Sequence, residues 1–421
     1  MKLRTHLASL VILMAALISG WCNDREPPKP PPTPTPVQSL TSTAPARLQV
    51  LTEKEVTFYP TYGYRVGTGW NAQLRGWVHE DRKLEAEGAV KFLKFIAKCN
   101  DAQVNIVRSR SADFMDDDKK SQKVKVKFDS DPGDKEYEFS KTTSEGIYKL
   151  DLALTDEQAR QLLGQQRSAN GWLTYRAVSK DHTGLGRVRL IEPGPNGVSL
   201  ISDIDDTIKI TEVPAGQDTV LRNTFCLDFR VVPEPDILAR YKLGDDIPVH
   251  YVSGGPEQLF GPLYDFLITG PGGFPEGTFH LKFFPKNPSI ASASNIVRSL
   301  ISSLDATYDH KLHEINTLMD KFPDRKFILI GDSGEIDPEV YNEIKKNRPA
   351  QVKEIVIRDV INDAVAHPFR LAGMTPIPVS QPICIADKHF DHLSAMIRKS
   401  YPNEEYAKKP AAPCSTQAKK D

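Results

Sequence analysis

The sequence predicts an α/β fold, with a Rossmann-like core and a small cap preceded by a mostly β domain. Three apolar runs of strand length in the second half of the chain end in polar residues, at Asp203, Ser253 and Asp332. The carboxyl ends of strands in an open parallel sheet converge on one crevice, so these three side chains should lie close together. Short alternating stretches dominate the region before residue 193, which favours strands there.

The first strand end carries the clearest chemical pattern. Residues 198–208 read Val-Ser-Leu-Ile-Ser-Asp-Ile-Asp-Asp-Thr-Ile, and strand alternation sends Asp203 and Asp205 to one face and Asp206 to the other. Two adjacent carboxylates repel each other unless a divalent cation or a proton stabilises them. The pair suits phosphoryl transfer, in which one Asp attacks phosphorus, the other handles the proton and Mg²⁺ neutralises the phosphate oxygens. Asp-rich turns after strands are common, so this pattern alone does not establish catalysis.

Two further strand ends make the pattern specific. Residues 247–256 close on Ser253 and two glycines, and residues 326–332 close on Gly-Asp, with Asp337 five positions after Asp332. A lysine would complete such a site, because it would direct a cation at the phosphate and the nucleophile.

Lys311 is the preferred lysine because it opens an amphipathic segment ahead of the last strand. Lys282 and Lys286 are the alternatives, and a solvated position on the helix is the non-functional interpretation of Lys311.

The order Asp-x-Asp-x-Thr, Ser, Lys and Gly-Asp-x4-Asp resembles the haloacid dehalogenase superfamily of phosphohydrolases. Within it, the chain is similar to the catalytic domain of the actin-patch-associated phosphatidate phosphatase family, from about residue 198 to about residue 361. The similar segments are residues 202–213, 221–225, 250–267, 272–282 and 322–341. The resemblance implies a Mg²⁺-dependent phosphatase with phosphatidate as the leading substrate.

The resemblance also implies a role for each matching residue. Asp203 would be the nucleophile that forms an aspartyl-phosphate, and Asp205 the general acid and then the base for water. Ser253 would donate a hydrogen bond to the transferring phosphoryl group, Thr207 would pack and orient the loop, and Lys311 would supply the cation.

The metal ligands implied are Asp203, Asp205 through its main-chain carbonyl, Asp332 and Asp337. The chain departs from the family pattern at residues 253–256, where Ser-Gly-Gly-Pro stands in place of Ser-Asn-Ser-Pro. The serine is kept, so the departure affects the choice of substrate more than the chemistry.

The segment between the first two motifs, Thr211–Gly244, is short. Ala215–Phe229 and Pro235–Leu243 are its predicted helices, and part of the interval from Asp205 to Ser253 belongs to the core. The resemblance implies a cap at this point, and the short segment predicts a small one, which leaves the site open to a bulky or membrane substrate.

The amino terminus has the pattern of an export signal. Lys2 and Arg4 precede an apolar run that is short for a membrane span, so residues 1–22 are predicted to be a signal peptide. Lipidation of Cys22 and an uncleaved membrane anchor are the alternatives. Residues 23–47 form a proline-rich linker, since proline favours extended polyproline II. We expect an exported protein, secreted or periplasmic.

The remaining domain boundaries follow from composition and periodicity. Residues 48–193 are expected to form the mostly β accessory domain, 194–400 the phosphatase domain and 401–421 a disordered tail. Within the accessory domain, Leu84–Cys99 and Asp156–Leu163 have helical patterns.

Composition limits the partners. The net charge of −1 gives no electrostatic case for nucleic acid and no strong attraction to anionic lipid, although contact with a membrane surface stays open. If Cys22 is lost on processing, the four remaining cysteines allow three pairings in an oxidising compartment. The sequence leaves the oligomeric state undetermined.

Three functions are compatible with these observations. The first is hydrolysis of phosphatidate to diacylglycerol. The second keeps the chemistry but acts on a phosphoprotein or a soluble phosphate ester. The third is a catalytically idle secreted binding module, against which the intact set of acidic residues argues.

Overall fold

The computed structural model describes residues 55–80, 83–178, 184–194, 197–244, 246–283 and 304–404. These residues all belong to one compact unit, Val50–Asp421. The predicted signal peptide (1–22), the linker (23–47), Lys286 and most of the tail (401–421) lie outside the described residues. Within the described part of the chain, every helix is too short or too polar to cross a membrane.

The amino-terminal half of the described chain is a nine-stranded sheet in the order β1-β3-β2-β9-β8-β5-β6, with β4 and β7 also paired to β3. Only the β2–β9 pairing among its described ladders is parallel. The strands are β1 (Glu55–Tyr59), β2 (Thr61–Val66), β3 (Gly69–Glu80), β4 (Asp117–Asp118), β5 (Lys125–Phe128), β6 (Glu136–Glu138), β7 (Ile147–Thr155), β8 (Trp172–Ala177) and β9 (Leu185–Leu190). The expected β-rich region is confirmed.

Three helices accompany this sheet in the described residues: α1 (Lys83–Ile96), α2 (Val104–Met115) and α3 (Asp156–Gln165). The start of α3 is fixed by a capping box, in which the Thr155 hydroxyl accepts from the Gln158 amide at 3.2 Å and the Gln158 side chain accepts from the Thr155 amide at 2.8 Å. The sequence predicted α1 and α3.

The carboxyl-terminal half contains a sheet of six described strands, all parallel, in the order β12-β11-β10-β13-β14-β15. They are β10 (Val198–Ser202), β11 (Val249–Pro256), β12 (Thr278–Lys282), β13 (Lys326–Asp332), β14 (Val352–Asp359) and β15 (Thr375–Pro378). The three strands predicted to carry the site, β10, β11 and β13, are adjacent, so their carboxyl ends lie at one edge. The predicted parallel sheet is confirmed.

Alternate side chains of the central strands pack into two separate hydrophobic clusters. Leu200 and Ile328 belong to one cluster, and Ile201 and Leu329 belong to the other. A strand buried on both faces reads as a continuous apolar run, which is why the sequence showed such runs.

The described helices around this sheet are α4 (Gln217–Phe225), α5 (Pro235–Ala239), α6 (Phe260–Tyr264), α7 (Leu304–Lys321), α8 (Asp337–Asn347), α9 (Asp363–Ala366) and α10 (Asp387–Ser400). Helices α4 and α5 fall within the predicted helical segments of the region 211–244, although both are shorter than expected.

The two halves are joined across α1, α2 and α4. A disulfide links Cys99, after α1, to Cys226, after α4. The Arg110 side chain on α2 is buried and donates to the carbonyl of Thr224 at 2.5 Å and to that of Leu227 at 2.6 Å. The amino-terminal half therefore braces the segment that the sequence assigned to the cap.

Candidate active site

Lys311 and Asp203 meet at the carboxyl edge of the parallel sheet. Asp203 directly follows β10, and its amide donates to the carbonyl of Ile330 on β13 at 2.9 Å, which fixes the carboxylate at the strand end. Lys311 lies on α7 with its side chain fully buried, and its Nζ is 2.8 Å from Asp203 Oδ1. Of the three lysines considered, Lys311 contacts the predicted nucleophile, whereas Lys282 ends β12.

The last motif, Gly331-Asp332 with Asp337, lies next to the same lysine. Asp337, the first residue of α8, forms a buried ion pair with Lys311 through Oδ1, and its Oδ2 accepts from the Asp332 amide at 3.2 Å. A side chain at Gly331 would place a Cβ 2.4 Å from that oxygen, so only glycine fits there. The close approach of Asp337 thus requires the glycine of the Gly-Asp pair.

Burial and charge together determine the protonation of this cluster. Burial raises the pKa of Asp203, Lys311 opposes the increase, Asp337 and Asp205 add to it, and the result is about 7. Burial and the neighbouring Asp337 and Asp203 hold the pKa of Asp332 well above its usual range. Burial alone lowers the pKa of Lys311, but the attraction of Asp203 and Asp337 outweighs it and raises that pKa. The site carries more carboxylate than its one lysine neutralises.

The residues present fit a divalent metal ion. Oxygen atoms of Asp203, Asp332 and Asp337 lie within 4.8 Å of one another. Asp203 Oδ2 and Asp332 Oδ2 are buried and have no hydrogen-bond partner among the described residues. Hard cations such as Mg²⁺ take carboxylate oxygens as ligands, and such an ion would compensate the two unpartnered atoms.

Asp205 occupies a different environment beside this cluster. Its Oδ1 accepts from the hydroxyl of Thr211 and contacts Nζ of Lys209, each at 2.6 Å, and its Oδ2 accepts from the Ser253 hydroxyl at 3.4 Å. Burial raises the pKa of Asp205, but Lys209 and the hydrogen bonds outweigh that effect and lower it. The different surroundings of Asp203 and Asp205 therefore shift the pKa values of the two carboxyl groups in opposite directions.

The third aspartate of the first motif is structural. Asp206 has a left-handed backbone (φ 54°), and its carboxylate accepts from the amides of Thr211, Glu212 and Val213 at 2.6–2.9 Å. Thr207 is fully buried in the same turn. The hydrogen bonds of Asp206 hold the loop that carries Asp205, and the orienting role of Thr207 stays a prediction.

Neighbouring atoms leave little space for a side chain at either of the two glycines that follow Ser253. An added Cβ at Gly254 would lie 2.7 Å from Thr307 Cγ2, and one at Gly255 would lie 3.2 Å from Ser253 Oγ. Thr307 on α7 fills the space that a larger residue at position 254 would need. The departure from the family pattern is therefore matched by a neighbouring side chain.

A pocket of about 450 Å³ opens beside Asp205. Asp205, Lys209 and Glu335 form part of its wall, while Gln217 and His392 add polar groups. Much of the remaining wall is apolar, including Val220, Leu221, Phe229, Leu259, Leu263 and Leu304. The volume is in the range of small-molecule sites, and the mostly apolar wall suits an apolar group.

Three polar residues of the site were missed by the sequence analysis. Burial, together with Asp203 and Asp337, raises the pKa of Glu335 to about 8 against the opposing effect of Lys311. The buried Arg370 side chain pairs with two carboxylates and donates to the carbonyls of Ser333 and Glu335, which fixes the loop after Asp332. Lys209, the third, stands six residues after Asp203, and this short spacing was the one available signal for it.

The parallel-sheet half of the chain is similar to known proteins. Residues 198–359 match the family described as "Phosphatidate phosphatase APP1, catalytic domain". The chain is 35% identical over 167 residues to "Phosphatidate phosphatase APP1" of Saccharomyces cerevisiae, which covers 39% of this chain and 26% of that protein. It is 31% identical over 171 residues to an uncharacterized protein of Schizosaccharomyces pombe, covering 40% of this chain and 26% of the other.

The predicted resemblance to this catalytic domain is therefore confirmed over residues 198–359. The chain spans about a quarter of the length of these two relatives. The matched range contains Asp203, Ser253, Lys311 and Asp332.

Proposed function

We propose that the protein is a Mg²⁺-dependent phosphatase that hydrolyses a phosphomonoester, with phosphatidate as substrate and diacylglycerol as product. The observation that carries the proposal is the fully buried Lys311 between Asp203 and Asp337, next to carboxylate oxygens that lack partners among the described residues. The similarity of residues 198–359 to a phosphatidate phosphatase catalytic domain supports the same substrate.

Each side chain has a distinct task in this mechanism. A carboxylate oxygen of Asp203 attacks phosphorus and displaces the alcohol, so that an aspartyl-phosphate forms. Ser253 donates a hydrogen bond to the phosphoryl group, and Lys311 neutralises charge at the nucleophile. Asp203, Asp332, Asp337 and the main-chain carbonyl of Asp205 would hold Mg²⁺, which would supply charge compensation for the phosphate oxygens.

Asp205 moves the proton in both halves of the reaction. A phosphate dianion near Asp203 repels the Asp205 carboxylate and favours its protonated state, in which it donates the proton to the departing alkoxide. The ionised carboxylate that results takes a proton from water, which attacks the aspartyl-phosphate and releases inorganic phosphate. Contacts with Lys209 and Thr211 stabilise this ionised form.

The apolar pocket supports a lipid rather than a sugar phosphate. It begins at Asp205, the residue that would protonate the leaving group, so the alcohol part of the substrate extends into it. Burial of apolar surface contributes roughly 25 cal/mol per Å², so an acyl chain held there would add substantial binding energy.

Phosphate release tests the proposal. The purified protein would be assayed with phosphatidate in detergent micelles and with a soluble aryl phosphate, with Mg²⁺ or a chelator, alongside Asp203→Asn and the surface control Asp236→Asn. Mg²⁺-dependent release from phosphatidate, lost only in Asp203→Asn, is the expected result. Release from the aryl phosphate alone would replace the lipid substrate with a soluble one, and no release from either would favour an idle binding module.

We also propose that the protein is exported, on the pattern of residues 1–22. Mass spectrometry of the amino terminus should find a chain that begins after Cys22, whereas an intact Met1 or an acylated Cys22 would indicate anchoring.

A further inference from the structure

Helix α1 exposes two aromatic side chains to solvent. Phe95 is 81% exposed and Phe92 is 39% exposed, although the opposite face of the helix, with Val90 and Leu93, is buried in the core. Residues three apart share a helix face, so the two phenyl rings are neighbours. Adjacent exposed aromatic rings form an apolar patch of the kind that marks a site of contact with a protein or a membrane.

Lysines surround the two rings. Lys91 and Lys98 are exposed and Lys94 is half-buried, and residues 91–98 contain no acidic residue. Lys94 pairs with Asp101, and Lys98 pairs with Asp218 at 2.8 Å. Exposed ion pairs of this kind contribute little free energy, so an anionic surface can compete for the lysines. Lysines beside exposed aromatic rings are typical of helices that lie at a lipid–water interface.

The same helix is tied to the segment that lines the pocket. Cys99, three residues after α1, is disulfide-bonded to Cys226 at the end of α4, and α1 packs against α4. On α4, Val220 and Leu221 line the pocket that opens beside Asp205. Helix α4 therefore lies between the aromatic surface of α1 and the pocket.

We propose that the surface formed by Lys91, Phe92 and Phe95 of α1, together with Lys98 just after the helix, docks onto an anionic lipid bilayer, with the two rings inserted at the headgroup level. The partner is a lipid surface rather than a protein, because the rings are few and the lysines complement anionic headgroups. The benefit to catalysis rests on the proposed function, since docking would hold the pocket at the membrane, but docking itself requires no hydrolysis.

Quenching by brominated lipids tests where the protein touches the membrane. The full chain with Phe95→Trp would be mixed with vesicles of phosphatidylcholine and phosphatidylserine brominated in the acyl chains. The native Trp70, Trp77 and Trp172 are buried, and the unsubstituted chain supplies the background that they and Trp21 contribute. We expect quenching of the new tryptophan, and absence of quenching beyond the background would overturn the proposal.

Val365→Trp is the matched control, because Val365 is 76% exposed on α9, outside the docking face. Its fluorescence should not be quenched. Equal quenching at positions 95 and 365 would show that the membrane contact is not specific to α1 and would also overturn the proposal.

Vesicle sedimentation measures the strength of docking. Phe92→Ser with Phe95→Ser should weaken binding to phosphatidylserine vesicles by about tenfold or more, since two inserted rings are lost. Lys91→Gln with Lys98→Gln should weaken it by about fivefold or more and reduce its dependence on salt. Unchanged binding in both variants would contradict the proposal.

The vesicles contain no phosphatidate, so these results do not depend on the proposed substrate. Both variants should hydrolyse a soluble aryl phosphate at the rate of the unsubstituted chain, and a parallel loss of that activity would indicate misfolding rather than lost docking. If docking fails while phosphatidate is still hydrolysed in micelles, only the docking proposal is refuted.

Discussion

Replacement of Lys311 by methionine should destabilise the protein in a strongly pH-dependent way. The lysine is fully buried and pairs with Asp203 and Asp337, so its loss leaves buried carboxylates without their cation. Removing one partner of a buried ion pair costs about 3–5 kcal/mol, and we expect a loss of that size in the free energy of unfolding at pH 8 in the presence of a chelator.

The pH dependence follows from the direction of the Asp203 pKa shift. Its folded pKa of about 7 lies above the unfolded value, so the folded state binds more protons and stability falls as the pH rises from about 4 to about 7. Without Lys311 the pKa rises further and the fall continues to higher pH. At pH 5, protonating a carboxylate with the ordinary Asp pKa of about 3.9 costs only about 1.5 kcal/mol. The variant can neutralise a carboxylate that has lost Lys311 at that cost, so the penalty of Lys311→Met at pH 5 should shrink towards about 1.5 kcal/mol.

Chemical denaturation at pH 5 and pH 8 measures both quantities. The control is Lys399→Met, because Lys399 is an exposed lysine 3.8 Å from Asp305, and its loss should change the free energy of unfolding by less than about 0.5 kcal/mol. An equal penalty for Lys311→Met at both pH values, or a penalty no larger than that of the control, would refute the proposed electrostatics of the site.

Three further predictions concern stability and the site. Cys99→Ala with Cys226→Ala should lower the free energy of unfolding by about 4–5 kcal/mol, because the cross-link spans 127 residues; an unchanged denaturation midpoint would contradict this. Arg370→Met should cost about 3–5 kcal/mol by leaving two buried carboxylates unpaired, measurable as a lower thermal midpoint, and an unaltered midpoint would exclude that role. Gly254→Asn should reduce kcat/KM roughly tenfold to a hundredfold by collision with Thr307, and Thr307→Ala should restore much of it; failure of the rescue would remove the steric explanation.

The parallel sheet was predictable because buried strands are continuous apolar runs and the polar residues at their ends are conspicuous. Asp203, Ser253 and Asp332 each follow such a run, and the three strands are neighbours in the sheet. Lys311 was less certain, because a lysine at the start of an amphipathic segment is usually solvated. Its selection over Lys282 requires the packing of α7 against β11, which no local pattern contains.

Helix α2 and the burial of Arg370 could not be predicted from a local sequence pattern. Helix α2 buries Val107, Arg110, Ser111 and Phe114 at helical spacing, so half of its buried positions are polar and the apolar pattern is broken. Arg370 is buried because carboxylates and carbonyls distant in sequence converge on it. Such contacts exist only in the folded chain, which is why the sequence could not indicate them.

The most direct test of the central claim is to trap the covalent intermediate. The protein would be incubated with phosphatidate and Mg²⁺, denatured rapidly and treated with borohydride, which reduces an aspartyl-phosphate to homoserine. Mass spectrometry of the peptide that contains residues 198–208 should find homoserine at position 203 and aspartate at position 205. Homoserine at another position, or none during active phosphate release, would contradict Asp203 as the nucleophile.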